Sequence, residues 1–370
     1  MPLVPPYIES LEPYTPGKQA AELQREFSLA KVVKLASNEN PLGPSPLALK
    51  ELQLHYTELH IYPNGGLDLR QALANRFHLN MGNVITGSGS EGIMSNIFRA
   101  FLCDEDEALT SEGTFVGFYV LARTRGTRLV TVPLKDYHYD LPAIADHITR
   151  NTKIIYLANP NNPTGTVFTK KEFDLFWGKV PDNVLIILDE AYFEYAQEDP
   201  DYPDSMHYRY DNVITLRTFS KAYGLAGIRI GYGFAHDLLI GNLLKVKLPF
   251  EPSTLAQAAG IGALRDEEFL RTTLATNAKG REILEHGLHS LGLHTIPTHA
   301  NFFCVHFDSE KVALGIYQEL LRHGVIVRPL RPFGLPHCLR ITIGTHEQND
   351  ILLGALTQLL AHTPLTTARE

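Results

Sequence analysis

One lysine stands among small and hydroxyl-bearing residues in the stretch TFSKAYGLAGIRIGY, Thr218 to Tyr232, which follows the β-like run Val213 to Leu216. Lys221 can form a Schiff base with an aldehyde if its surroundings lower its pKa and its neighbours hold a phosphate. Thr218, Ser220 and Arg229 are suitable neighbours. A second group is Asp189, an acid at the end of the apolar run Val184 to Leu188, where an unpaired carboxylate would be costly. A third is the Asn-rich turn NPNNPTG, Asn159 to Gly165, whose amides can bond ligand oxygens. A fourth is Ser88-Gly89-Ser90-Glu91, a Gly/Ser turn at a helix start, where free backbone N–H groups and the helix dipole favour an anion. Each has an ordinary structural explanation alone, as an exposed lysine or a set of turn formers.

The elements that carry these groups bring them together. Four strand-like runs end at Gly87, Asn159, Asp189 and Arg217, and each is followed at once by a candidate ligand group. In an open α/β sheet, sites form outside the carboxyl ends of the strands. The Val184 to Leu188 run is apolar enough for a central parallel strand buried on both faces. Past Leu255 the pattern changes to amphipathic helices, about 253–291. Strand-like runs at 300–307, 325–329 and 338–345 then alternate with helices at 310–323 and 347–360, which predicts a smaller α+β unit. Prolines 2, 5, 6, 13 and 16 predict an extended N-terminal arm, followed by a short helix at 19–27.

The lysine stretch resembles that of fold-type I enzymes that use pyridoxal 5′-phosphate (PLP), and most closely the histidinol-phosphate aminotransferase family. There the segment reads S-F-S-K-A-Y-G-L-A-G-x-R-x-G-Y; Thr218 keeps the hydroxyl of the first serine. The resemblance runs from Pro13 to about Thr345. It implies an α/β fold: a large, mixed and mostly parallel sheet domain over 30–265 with helices on both faces, and a smaller α+β domain from 1–29 and 266–370. It also implies a homodimer whose active site is shared across the interface.

By the same resemblance Lys221 binds PLP and moves the Cα proton, Asp189 keeps the pyridine nitrogen protonated, and Asn162 and Tyr192 bond the phenolic oxygen. Ser90, Glu91, Thr218, Ser220, Arg229 and the partner's copy of Tyr62 surround the phosphate. Phe115 stacks on the ring where relatives usually carry Tyr, so stacking survives and a phenolic hydrogen bond does not. Tyr14, Asn40, Arg328 and Arg340 are implied at the substrate, with Arg340 on a carboxylate and both arginines on a substrate phosphate; Arg331 has no match. Relatives carry Asp-Glu where this chain has Glu91-Gly92, which leaves the backbone donors but removes the second acid. The implied reaction is transamination between L-histidinol phosphate and 2-oxoglutarate. The alternatives are an aromatic amino acid aminotransferase, a PLP-dependent decarboxylase of a phosphorylated amino acid, and a PLP-sensing regulator.

Totals narrow the remaining classes. The 370 residues suit two domains, and 41 acidic against 33 basic residues give a net charge of −8 with no dense basic run, against a nucleic-acid partner. Three dispersed cysteines argue against a disulfide framework or a zinc site and fit a reducing compartment. The 16 histidines form no ligand spacing. No leader or membrane-length apolar run is evident, so a cytoplasmic enzyme without membrane partners is expected.

Overall fold

The computed structural model describes residues 3–12, 17–208 and 211–362. Its strands are β1 (Val33–Lys34), β2 (Val84–Gly87), β3 (Glu107–Ser111), β4 (Arg128–Val132), β5 (Thr152–Ala158), β6 (Leu185–Asp189) and β7 (Val213–Thr218), then β8 (Gly231–Ala235), β9 (His294–Ile296), β10 (Phe302–His306), β11 (Val325–Ile326), β12 (Arg328–Pro329) and β13 (Cys338–Thr342). Among the described residues, one sheet has the order β2-β8-β7-β6-β5-β3-β4. Only β8 runs against its neighbours, so β2, β5, β6 and β7 all end at the same edge.

Both faces of this sheet are covered, and the side-chain alternation of a strand decides which residue goes where. Ile154, Tyr156, Ala158, Leu185, Ile187, Ile214 and Leu216 enter the core beneath the helices Gly89–Phe101 and Val116–Arg125. Ile155, Leu157, Ile186, Leu188 and Val213 enter the opposite core, with Phe173 and Phe176 of the helix Lys170–Trp177. Asp189 and Thr218 continue the first series, whereas Glu190 and Arg217 continue the second. That parity sends Asp189 and Thr218 to the face where Tyr156 lies.

A second, antiparallel sheet has the order β12-β13-β10-β9, and β1 pairs in parallel with β11. Its core holds Phe303, Val305, Leu339 and Ile341 with Leu284, Leu320 and Leu352. Val33 and Leu35 also enter it. Residues 33–35, expected in the larger unit, therefore pack with the C-terminal segment, because pairing of β1 with β11 gives their backbone groups partners. The helix Ala20–Phe27 joins the same region, packing Leu23 on Ala36, Leu321 and Ile326.

The N-terminal arm differs from its reading as extended. Pro6–Glu9 forms one helical turn with Pro5 as N-cap, the end of a helix where a missing N–H costs nothing. Tyr7 lies against Gly126, where a Cβ would come within 2.8 Å of its ring. Cys304 and Cys338 lie on the adjacent strands β10 and β13, and both are free thiols. No helix among the described residues is long and apolar enough to cross a membrane.

Candidate active site

A cavity of about 590 Å³ opens at the carboxyl ends of β5, β6 and β7. Lys221 lies in it, the third residue of the turn after β7 formed by Phe219 to Gly224. Its ammonium donates to the Ser37 carbonyl at 3.2 Å and lies 5.7 Å from the centre of the Tyr192 ring. Burial, reinforced by the positive charge of Arg340, lowers the Lys221 pKa from 10.5 to about 8. The amine thus has a substantial neutral, nucleophilic fraction near physiological pH.

Asp189, only 5% exposed, lines the same cavity. Its Oδ2 accepts from the Tyr156 hydroxyl at 2.8 Å and its Oδ1 from the Ala191 amide at 3.2 Å. Burial raises its pKa to about 6 in spite of these donors. An amine pushed down and a carboxyl pushed up in one cavity mark a place where both await a ligand to compensate them.

The expected anion cradle is assembled from three segments. Ser88 is the N-cap of the helix Gly89–Phe101, and Gly89 has φ +75°. In β8, Gly231 packs so closely that a Cβ there would lie 2.4 Å from the Ser90 amide nitrogen. Thr218 Oγ1 donates to Ser220 Oγ at 3.0 Å and accepts from the Ser220 amide at 3.1 Å. Arg229, in the left-handed region at φ +57°, places Nη2 3.3 Å from Glu91 Oε2. Ser90, Glu91, Thr218, Ser220 and Arg229 all line the cavity. Gly231→Ala should displace the start of the helix and weaken binding of the PLP expected from the sequence by about tenfold or more, since a lost charge-assisted hydrogen bond is worth at least that factor. Equilibrium dialysis of the apo-protein reads the change, with circular dichroism as the control for folding.

Phe115 and Asn162 complete the lining. The Phe115 ring crosses Gly117, where a Cβ would come within 2.5 Å of it. Asn162 is held through Oδ1 by Arg340 Nη1, and Arg340 Nη2 donates to the Ala36 carbonyl at 2.9 Å. Arg340 is buried, with its guanidinium 5.3 Å and 5.7 Å from the centres of the Phe302 and Phe333 rings. Arg328 is its register partner across β12 and β13 and is half-buried. Arg331 is on the surface, paired with Glu310 at 3.3 Å.

Among the described residues, Asn40 and Tyr62 stand elsewhere, and neither Arg328 nor Arg340, which bonds Asn162, is part of the lining. Asn40 is not part of the lining: its amide donates to the Ala222 carbonyl and to Thr273 Oγ1, and its Oδ1 accepts from the Leu42 amide. It braces its own loop against the lysine turn. Tyr62 is 76% exposed and stacks on Phe250 at 4.3 Å, beside a separate cavity rather than the one that holds Lys221. Tyr14 lies outside the described residues.

Other residues come to the site unforeseen. Asn38, with φ +54°, donates its amide to the Tyr192 hydroxyl at 2.8 Å, while Thr342 donates to its Oδ1. Tyr156 supports Asp189, a placement that strand parity could have indicated. Val116, Val120 and Leu121 form an apolar wall from the helix after Phe115.

Comparison with known proteins matches residues 30–356 to the family model described as aminotransferase class I and II. The histidinol-phosphate aminotransferase of Anaeromyxobacter sp. strain Fw109-5 is 42% identical over 97% of this chain and 100% of its own length. Histidinol-phosphate aminotransferase 2 of Pseudomonas fluorescens strain Pf0-1 is 44% identical over 97% of this chain and 98% of its own. Among solved structures, that of histidinol-phosphate aminotransferase from Sinorhizobium meliloti in complex with pyridoxal 5′-phosphate superposes with a TM-score of 0.89 at 30% identity, covering 98% of both chains. Thermus thermophilus aspartate aminotransferase with maleate shares the fold, with a TM-score of 0.83 at 22% identity.

Proposed function

From the premise that this chain belongs to the class I and II aminotransferase family and has the fold of type I PLP enzymes, we propose that it transfers the amino group of L-histidinol phosphate to 2-oxoglutarate. The observation that carries the substrate assignment is identity of 42–44% to histidinol-phosphate aminotransferases over nearly the whole chain. The residues present fit PLP. A partly neutral amine, a buried carboxyl with no cationic hydrogen-bond partner among the described residues, and an anion cradle that admits only hydrogen at Gly231 converge on one cavity.

Bound there, PLP supplies an aldehyde for the amine and a protonated ring that accepts electrons from the substrate's Cα. Lys221 holds the cofactor through Nζ and then carries the Cα proton as general base and acid. Asp189 keeps the ring nitrogen protonated, and Asn162 and Tyr192 bond the phenolic oxygen. Ser90, Thr218, Ser220 and Arg229 take the phosphate, with Glu91 setting the position of Arg229. Phe115 gives the ring a flat face. Arg340, fixed between two aromatic rings, binds the carboxylate of glutamate, and with Arg328 the phosphate of histidinol phosphate; guanidinium suits both anions.

The assembly is a homodimer in this reading. Leu54, Tyr56, Leu59, Ile61, Tyr62 and Phe250 are exposed apolar residues, and an apolar strip of this kind favours a covering partner. Tyr62, too far out to serve its own cavity, would then serve the partner's. Free cysteines fit a reducing, cytoplasmic setting.

An absorbance spectrum of the reconstituted protein tests the proposal. The PLP band should bleach to that of pyridoxamine phosphate with glutamate and with L-histidinol phosphate, and hardly with phenylalanine. Bleaching by phenylalanine instead would reassign the enzyme to aromatic amino acids, and absence of any cofactor band would overturn the reading.

A further inference from the structure

We propose that Tyr156 is a positioning residue for the reaction, whose hydroxyl fixes the orientation and the ionised form of the Asp189 carboxylate. This rests on the reading of Asp189 as partner of the cofactor's ring nitrogen. Tyr156 sits inside β5, and the register pairs Ala158 with Asp189 and Tyr156 with Ile187. Tyr156 is therefore the diagonal neighbour of Asp189 on the same face, a separation that a long aromatic side chain spans. Its hydroxyl reaches Oδ2 at 2.8 Å.

Three features make this bond more than core packing. First, the ring has one available orientation: Tyr156 is fully buried and stacked on Phe118 at 4.4 Å and 16°, and Phe118 meets Phe98 edge-on at 5.3 Å. Second, the direction of the bond is fixed. An ionised carboxylate only accepts, and burial, with the charge of Asp189, holds the phenol well above its ordinary pKa, so it stays a donor across the working range. Third, Asp189 has few other supports. Among the described residues, the hydrogen bonds of its carboxylate are those from Tyr156 and the Ala191 amide.

The charged and titratable groups facing Asp189 are Glu91 from the helix Gly89–Phe101, which opposes its ionisation, and Lys221 from the turn after β7, which favours it. Tyr139 and Tyr192 face it as protonated phenols. Among the described residues, Tyr156 thus supplies the one side-chain donor hydrogen-bonded to the carboxylate.

Tyr156→Phe removes a single oxygen and keeps the stacked ring. The PLP dissociation constant of apo-protein, measured by equilibrium dialysis from pH 5 to 9, should rise in the wild type as pH falls through the Asp189 range near 6. In the variant that rise should begin about one to two pH units higher, the worth of a hydrogen bond to a charged acceptor. Lys221 and the cofactor phosphate titrate alike in both proteins and drop out of the comparison.

At pH 7 the variant's kcat should fall by up to about tenfold with the glutamate KM little changed, and the loss should nearly vanish by pH 9. Superimposable pH profiles would overturn the assignment, as would an equal loss at every pH, which is the mark of general damage. Asp189→Asn separates the two layers. If it loses activity while Tyr156→Phe does not, only Tyr156 is misassigned; if it binds PLP and turns over like the wild type, the reading of Asp189 fails with it.

Discussion

Lys221→Ala should lower kcat by about 10⁴-fold, the upper range for removal of a positioned acid–base group, and should abolish the absorbance signature of covalently held PLP. Reconstituted variant and wild type, compared by glutamate formation and by absorbance, give both readings. Retention of more than about 1% of wild-type turnover would remove Lys221 from the proton transfer, since that lies at or above the weakest effect of such groups.

The same substitution has a stability effect of opposite sign. The folded-state pKa of Lys221, about 8, lies below the unfolded value of 10.5. Its favourable contribution is thus present above 10.5, where the amine is neutral in both states, and is lost as pH falls through 8. At pH 7 the folded apo-protein carries an ammonium in a poor place. Relative to its effect at pH 10.5, removing it should stabilise that form by about 3 kcal/mol, because lost packing is common to both pH values and cancels. Thermal melting of both apo-proteins across pH 7–10.5 reads the difference. A gap that does not narrow as pH rises would show that burial has not shifted the lysine.

The second large effect lies behind the cavity. Arg217 is wholly buried on the opposite face of the sheet, immediately before Thr218. Its Nε and Nη2 donate to Glu190 Oε2 at 2.9 and 2.8 Å, Nη2 also reaches Asp204 Oδ1 at 2.6 Å, and the guanidinium lies 3.3 Å from the centre of the Phe193 ring. Glu190 in turn accepts from the Ser205 amide at 2.9 Å.

Burial disfavours the Arg217 charge, but Glu190 and Asp204 outweigh it and raise its pKa, so it stays protonated. Arg217→Met would strand the Glu190 carboxylate without its cation and should cost about 3–5 kcal/mol, as measured by denaturant unfolding. Because the pair is out of contact with solvent, the loss should change little between low and high salt. The exposed pair Arg271–Glu268 is the control, and Arg271→Ala should leave stability nearly unchanged. If the two substitutions cost the same, the buried pair contributes no more than a surface one.

Much of this arrangement was legible in the chain. The apolar runs leading to Asn159, Asp189 and Arg217 announced adjacent strands, because buried parallel strands require such continuity. Turn formers after each run announced where a ligand could be met. Local chemistry also singled out Lys221, Ser90 and Arg229, which the fold brings into one cavity. What failed locally did so for reasons of partnership. Nothing in the loop of Asn40 shows that Ala222 and Thr273, far along the chain, take up its amide. Arg217 and Glu190 read as ordinary polar residues beside more conspicuous neighbours, and only parity shows that they face away from the cavity together.

The sequence by itself determined which segments become strands, which residue types stand at their carboxyl ends, and hence that an amine, a carboxyl and an anion cradle meet at one edge. Only the tertiary structure decided how those groups are tuned: Tyr156 on Asp189, Asn38 on Tyr192, Arg340 on Asn162, and Gly231 against Ser90. Alternation and propensity act over a few residues and are written in the local pattern. Hydrogen bonds and pKa shifts depend on strand order, register and the exclusion of water, which exist only once distant segments have packed.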